Sequence, residues 1–350
     1  MQIVHAPHLP VRDDWLALHE ETALQPDLPI VDAHHHLWDR QSGRYLADEL
    51  RRDIEGNGGH RIVSTVYVQC RSMLRADGPE AMKPVGEAEF ANGVAAMFAS
   101  GAYGSTRACE AIVGGADLSL GVEVAPVIEA MLATTGSRLR GMRNPLAWHA
   151  SEAVRSSPVV PPHDLMERES FRAGVRTLAR YGLVLDVWVY HTQLDALYAL
   201  AASAPEVTIV IDHFGGPLGV GPHAGQSAQT RAAWAASLRR LASLPNTRMK
   251  LGGAGMGVFG FDFAAQTLPP SSETLASVWA PLVETCVELF GAQRCMFESN
   301  FPVDKGATGY TVLWNAFKRI ASGVSHDERA ALFSRTAATT YGLDLPGDNT

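Results

Sequence analysis

Three consecutive histidines, His34-His35-His36, stand in the run Ile30-Val31-Asp32-Ala33-His34-His35-His36-Leu37-Trp38-Asp39. A β-branched run enters them and a loop leaves them. Strand side chains alternate between faces, so this spacing places His34 and His36 on one face, with Asp32, and His35 on the other. Two imidazoles one strand repeat apart can each aim a nitrogen at one divalent cation, at about 2.0–2.1 Å for zinc. Imidazole also suits iron, nickel and copper, so ligand type alone does not choose the metal. His35 reads as structural.

Other chemistry-bearing side chains stand at the ends of short apolar runs. His213 follows Ile209-Val210-Ile211-Asp212 and precedes Phe214-Gly215-Gly216. His191 follows Trp188-Val189-Tyr190 and reads equally as a metal ligand or as a strand cap. Arg143 carries a planar fork suited to a substrate carboxylate, or to a salt bridge with a rim acid such as Asp117. Lys250 precedes Gly252-Gly253, where a substrate could approach the backbone. Tyr190 is counted with Arg143 and Lys250 as substrate-binding, although it reads also as pocket wall with Trp188, Phe214 and Phe301. His5, His8, His19, His60 and His326 read as surface residues. His149 and His163 fall in a long loop, outside the expected site.

Elements must bring these groups together. Eight apolar runs read as strands: Ile30–His34, Ser64–Gln69, Ala111–Ala116, Leu139–Met142, Val184–Val189, Thr208–Ile211, Thr247–Leu251 and Arg294–Glu298. Helical patterns separate them at Glu87–Ser100, Leu118–Ala133, Glu169–Tyr181, Leu194–Ser203, Ala228–Ser243 and Leu275–Phe290. Two more follow, Tyr310–Ala321 and Ser325–Tyr341. Strands alternating with helices argue for parallel βα units, and eight of them fit a (β/α)8 TIM barrel. Residues 1–29 read as a Pro-rich N-terminal arm with one short helix, Asp13–Thr22, and residues 30–345 as a single barrel domain with C-terminal helices. A doubly wound sheet is the rival, weakened because no GxGxxG follows the first strand. In a barrel the active site lies at the C-terminal ends of the strands, where these polar groups stand.

Bulk composition narrows the function classes. The chain has 350 residues, a net charge of -8 and 46% hydrophobic residues. Basic residues are scattered, so no footprint for nucleic acid stands out. The first residues lack the pattern of an export signal, and no apolar run reads as a bilayer span. Cys70, Cys109, Cys286 and Cys295 form no metal-site spacing and read as reduced thiols of a cytoplasmic protein. The expected partner is a small-molecule carboxylated substrate, with neither nucleic acid nor membrane. The barrel class also admits homo-oligomers.

Taken together, Val31-Asp32-Ala33-His34-His35-His36-Leu37-Trp38-Asp39, Ile211-Asp212-His213-Phe214-Gly215-Gly216-Pro217 and Glu298-Ser299-Asn300-Phe301-Pro302-Val303-Asp304 resemble the amidohydrolase-related family. That family comprises (β/α)8 barrel hydrolases, among them lactonases of sugar acids and of pyrone dicarboxylate. The resemblance spans about residues 30–345. It implies that His34 and His36 bind a cation, that His213 contacts the activated water or the substrate carbonyl, and that His191 is a further ligand. It implies a divalent metal, Zn2+ or Mn2+, although some lactonases of this kind work without one.

The departure is at strand 8, where the family's aspartate position holds Asn300. An amide cannot take a proton from water. Glu298, two residues earlier, is the replacement base expected from strand alternation, with a barrel-interior ion pair as its other reading and Asp304 as a second candidate. The leading expectation is hydrolysis of a small carboxylated lactone or cyclic ester, with His213, Glu298 and Asn300 as catalytic residues. A non-oxidative decarboxylase and a catalytically silent ligand-binding barrel are the alternatives.

Overall fold

The computed structural model describes residues 8–41 and 43–345. His5 lies outside them. Eight strands form one parallel sheet in sequential order: β1 (Ile30–His35), β2 (Ile62–Val68), β3 (Arg107–Gly115), β4 (Leu139–Arg143), β5 (Val184–Val187), β6 (Ile209–Ile211), β7 (Thr247–Leu251) and β8 (Cys295–Phe297). The last seam closes at the mouth. Asn300 N–H donates to the His34 carbonyl at 2.8 Å, and His36 N–H donates to the Phe301 carbonyl at 2.7 Å. His35 and Phe301 make an isolated parallel bridge. The chain is therefore a closed (β/α)8 barrel, with helices on its outer face.

Small and β-branched residues fill the lumen. Val31, Ala33, Val66, Val68, Val113 and Val210 pack there with Met296, and Ala337 and Tyr341 plug the cluster. Their fit reflects the narrow interior of an eight-stranded barrel. Above this apolar plug the inward-facing side chains become ionisable, and the site begins.

Several elements depart from expectation. The arm helix is only Asp13–Leu16. Beyond it the arm is held by long-range contacts: Arg12 donates to the Ala264 carbonyl at 2.6 Å and Trp15 Nε1 to the Gln266 carbonyl at 3.1 Å. The expected C-terminal helix is broken into His326–Ala330, a wide π-type turn Ala331–Arg335, and Thr336–Tyr341. The wide turn buries Leu332 and Phe333, the latter 4.7 Å from Phe297 between ring centroids. A hairpin (Trp38–Arg40 with Gly43–Tyr45) and a helix (Ala47–Glu55) were absent from the sequence reading.

One stretch, Leu118–Arg138, proves long and apolar enough to cross a bilayer, against the expectation of none. Here it is interrupted at Gly121, whose φ is 62° and ψ -134°, and it lies between β3 and β4 as an outer-layer element. All four cysteines are free.

Candidate active site

Strict alternation along β1 fails at one place, and the site depends on that failure. The β1–β2 register shifts between Asp32 and His35. Val31 and Ala33 both face the lumen cluster, yet His34, the next residue, also points into the polar core. A bulge that inserts one residue redirects the side chains beyond it. His34 is thereby turned inward, away from the face of Asp32 that it was expected to share. Its carboxylate accepts Ser299 N–H at 2.8 Å and the Tyr310 hydroxyl at 3.0 Å, tying β1 to the segment after β8. His35 lies fully buried against Thr65, 2.8 Å from its hydroxyl.

His34 is the centre of the cluster. Its Nδ1 is 3.0 Å from Glu298 Oε2, 3.4 Å from Asp212 Oδ1 and 3.2 Å from Lys250 Nζ. Its Nε2 is 3.1 Å from His36 Nε2 and 3.3 Å from an Arg143 guanidinium nitrogen. His36 Nδ1 lies 2.7 Å from the Val68 carbonyl, which can only accept, so Nδ1 carries the proton and Nε2 a free lone pair. Burial, then the Lys250 ammonium, lowers His34 to about 4. Burial is also the main reason that His36 is held well below its ordinary value. Both imidazoles are neutral at physiological pH, the form that ligates a metal or accepts a proton.

His213 is held by a carboxylate. Its Nδ1 donates to Glu298 Oε1 at 2.6 Å, and the same oxygen accepts the His213 backbone N–H at 3.2 Å. Nε2 is left free. The residue sits at φ +53°, and Gly253 lies so close that a Cβ there would overlap the imidazole. A histidine oriented through Nδ1 by a buried carboxylate, with Nε2 free, is the usual arrangement for a proton carrier. Burial lowers His213 to about 3, so it rests in the proton-accepting form.

Beneath these groups Lys250 is fully buried. Its Nζ donates to Asp186 Oδ2 at 2.6 Å and lies 3.2 Å from Asp212 Oδ1. Tyr341 donates to Asp186 from the apolar plug. Lys250 therefore does not face the cavity, which corrects its assignment as a substrate-binding residue. Glu298 is likewise fully buried and committed to His213 and His34, so it positions histidine rather than meeting water as a base.

Asn300 faces the cavity at φ +55° and donates its amide to Asp304 Oδ1 at 2.9 Å. Asp304 also accepts Gly255 N–H at 2.8 Å. Burial, reinforced by Glu298, pushes Asp304 up to about 8. In the unfolded chain the value is near 3.8. Between these two values the folded state keeps a proton that the unfolded state has released. Stability should therefore fall as pH rises through this window, by up to roughly 1.4 kcal/mol per unit, and level off above it. Urea titrations from pH 6 to 9 should show that slope in the wild type and lose it in Asp304→Asn. An unchanged slope in the variant would place the effect elsewhere.

The cavity above the cluster measures about 80 Å3. That is room for a few waters. The long loop after β4 supplies Pro145, Leu146 and Ser156–Val159. Ser156 fastens this loop, accepting Trp188 Nε1 at 2.9 Å and lying 2.7 Å from the Tyr190 hydroxyl. Tyr190 thus stands behind Trp188 and does not line the cavity, which corrects its assignment to the substrate. The arm contributes His8, stacked on Trp38 at 5.9 Å, so His8 is a wall residue and not a surface one. His60 is also buried, its Nδ1 2.7 Å from Lys318.

Three arginines, Arg40, Arg71 and Arg143, line the cavity with His8, His36 and His213, and no carboxylate does so among the described residues. A larger cavity of about 1180 Å3 opens at the opposite, N-terminal end of the strands. It mixes arginines with Asp27, Glu55 and Glu110 and holds none of the imidazole cluster.

His191 does not join the cluster. It begins a short 3-10 turn, and its Nδ1 accepts Leu218 N–H at 3.3 Å. It packs on His223, 4.8 Å between ring centroids, with His149 beyond. That removes it from the expected metal ligands. Asp212, which adjoins His213 in sequence and is absent from the expected ligands, takes its place. His34, Asp212 and His213 bring one ligand atom each within 4.8 Å of one another.

The donor set fits a divalent cation. Both Asp212 oxygens are buried without a hydrogen-bond partner among the described residues. Lys250 and Arg143 approach them only as ion pairs, the latter at 3.7 Å. A neutral His36 Nε2 lone pair faces His34 Nε2 at 3.1 Å, a separation that two nitrogens about 2.0–2.1 Å from one ion can span. The His34 and His36 rings each have their other nitrogen beside a carboxylate or a carbonyl, the outer-shell arrangement of ligating histidines.

Comparison with known proteins agrees with this geometry. A family model described as "Amidohydrolase" matches residues 31–343. An uncharacterised protein of Sinorhizobium fredii is 30% identical over 90% of this chain and 99% of its own length. The L-fucono-1,5-lactonase of Burkholderia multivorans is 29% identical over 91% of this chain and 97% of its own. Among solved structures, a zinc-bound amidohydrolase from Burkholderia multivorans superposes with a TM-score of 0.68 at 26% identity, covering 90% of this chain and 99% of that one.

Proposed function

The chain belongs to the amidohydrolase family, and from that membership we propose that it opens a small carboxylated lactone or cyclic ester by attack of water on the ester carbonyl. The observation that carries this reading is the pairing of two surfaces. The floor holds a neutral imidazole cluster with its own proton carrier, and the wall holds three arginines with no carboxylate among the described residues. A wall of that charge favours an anionic substrate. The similarity to an L-fucono-1,5-lactonase supports an ester carbonyl as the electrophile.

His34 and His36, whose Nε2 atoms lie 3.1 Å apart, would hold a divalent cation, Zn2+ or Mn2+, with Asp212 3.4 Å from the other nitrogen of His34. When bound, it supplies positive charge that polarises the carbonyl and lowers the pKa of water. His213 accepts the proton of the attacking water at Nε2, and Glu298 steadies the resulting imidazolium through Nδ1. The same proton is then available to the departing alkoxide. Arg143, 13% exposed, stands between the cluster and the cavity and places a fork-shaped donor where a carboxylate or oxyanion would lie. Asn300 offers an amide at the strand 8 wall and holds its backbone in register with His34.

The test is a panel of lactones assayed by proton release after chelation and after addition of Zn2+ or Mn2+. It pairs 2-pyrone-4,6-dicarboxylate and sugar-acid lactones with uncharged lactones. Carboxylated rings should open at least tenfold more efficiently than uncharged ones. Elemental analysis should find about one equivalent of metal, absent from His34→Ala. A panel left unopened under every metal condition would overturn the proposal.

A further inference from the structure

The loop after β2 contains a residue whose backbone is strained and whose side chain is free. Arg71 has φ +66°, a left-handed conformation that residues with a Cβ avoid. Strain of this kind persists only where the surroundings over-determine it. Here a buried acid does so. Glu87, 1% exposed, lies in the first turn of the helix Val85–Ala99. Its Oε1 accepts Cys70 N–H at 2.7 Å, Ser72 N–H at 3.2 Å and the Tyr67 hydroxyl at 2.9 Å. Arg40, lying over the Trp38 ring, donates to the Cys70 carbonyl. The peptides on both sides of Arg71 are thus held from two elements.

Glycine would occupy that backbone without strain, but this chain places its longest cationic side chain there. Arg71 is exposed, lines the cavity mouth, and makes no ion pair among the described residues. Arg143 lies deeper along the same wall. We propose that Arg71 is an anion-binding residue of the mouth, set to receive a substrate carboxylate remote from the ester carbonyl, and that Glu87 is its positioning residue. The proposal rests on reading the cavity as a site for carboxylated substrates and adds a second anchoring point to it. Glu87 acts only through the loop backbone. Its contribution therefore falls on binding and leaves the chemical step unchanged.

The test is calorimetric and needs no turnover, so a lactone panel that fails does not decide it. Glutarate serves as the dianionic probe and glutaramide as its uncharged counterpart. Arg71→Gly should weaken glutarate binding at least tenfold, leave glutaramide unchanged, and keep Tm equal to or above wild type because strain is relieved. Glu87→Gln retains an Oε1 acceptor and should bind within threefold of wild type. Glu87→Asp, one methylene short of both N–H groups, should weaken glutarate as Arg71→Gly does. Where a lactone is turned over, Glu87→Asp should raise KM with kcat unchanged. Wild-type protein that does not bind glutarate, or Arg71→Gly that binds it within twofold of wild type, would overturn the subsite. Glu87→Asp that binds as wild type would overturn the positioning role.

Discussion

His213→Asn should lower kcat by roughly 10²–10⁴-fold, the range for removal of a positioned proton carrier, with KM changed little. Glu298 takes the Nδ1 proton at 2.6 Å, so the neutral ring presents Nε2 as a lone pair. Glu298→Gln keeps the shape but can donate its amide to Nδ1, which moves the ring proton to Nε2 and blocks proton acceptance. Its loss should approach that of His213→Asn. The double variant should be no more than a few-fold worse than either single one, because the two residues act as a unit. Tm should change little in His213→Asn. A kcat within tenfold of wild type in His213→Asn, or additive losses in the double variant, would assign proton transfer to another group.

The second large effect concerns stability. Lys250→Met should cost about 3–5 kcal/mol in urea denaturation, because a buried acid loses its cation. Lys250 Nζ is fully buried between Asp186 and Asp212. Arg143 still lies near Asp212, but Asp186 keeps only the Tyr341 hydroxyl. Lys250→Met combined with Asp186→Leu should recover more than half of the loss, since an apolar pair of similar volume avoids the unpaired charge. A cost under about 1 kcal/mol for Lys250→Met, measured by the same titration, would show that the floor tolerates an unpaired acid.

The barrel was legible because each strand is a short apolar run punctuated by glycine or a polar group, and parallel βα units demand alternation. The hairpin and the helix Ala47–Glu55 were not, because the helix is mostly charged and buries only Ala47, Leu50 and Ile54. His34, His36 and His213 could be found from strand-end position. Position does not fix direction, however. His191 follows a strand as His213 does, but its Nδ1 accepts Leu218 N–H from the loop after β6, away from the cluster. The β1 bulge was invisible to a period-two rule and put His34 on a different face from Asp32. Lys250 and Glu298 had the right face but the wrong depth, since inward-pointing residues low in a barrel meet each other before any ligand. His8, Arg40 and Arg71 reach the cavity through the arm, a hairpin and a strained loop, whose paths depend on tertiary packing. Asp212 had a readable signal, an acid beside a strand-end histidine.

The proposed reaction is attack of water on an ester carbonyl above the His34–His36–His213 cluster. The most direct measurement is turnover of a carboxylated lactone in 18O-labelled water, with the product read by mass spectrometry. Such attack puts one labelled oxygen in the new carboxylate, with incorporation suppressed in His213→Asn. Label in the hydroxyl product, or loss of carbon dioxide in place of ring opening, would contradict it.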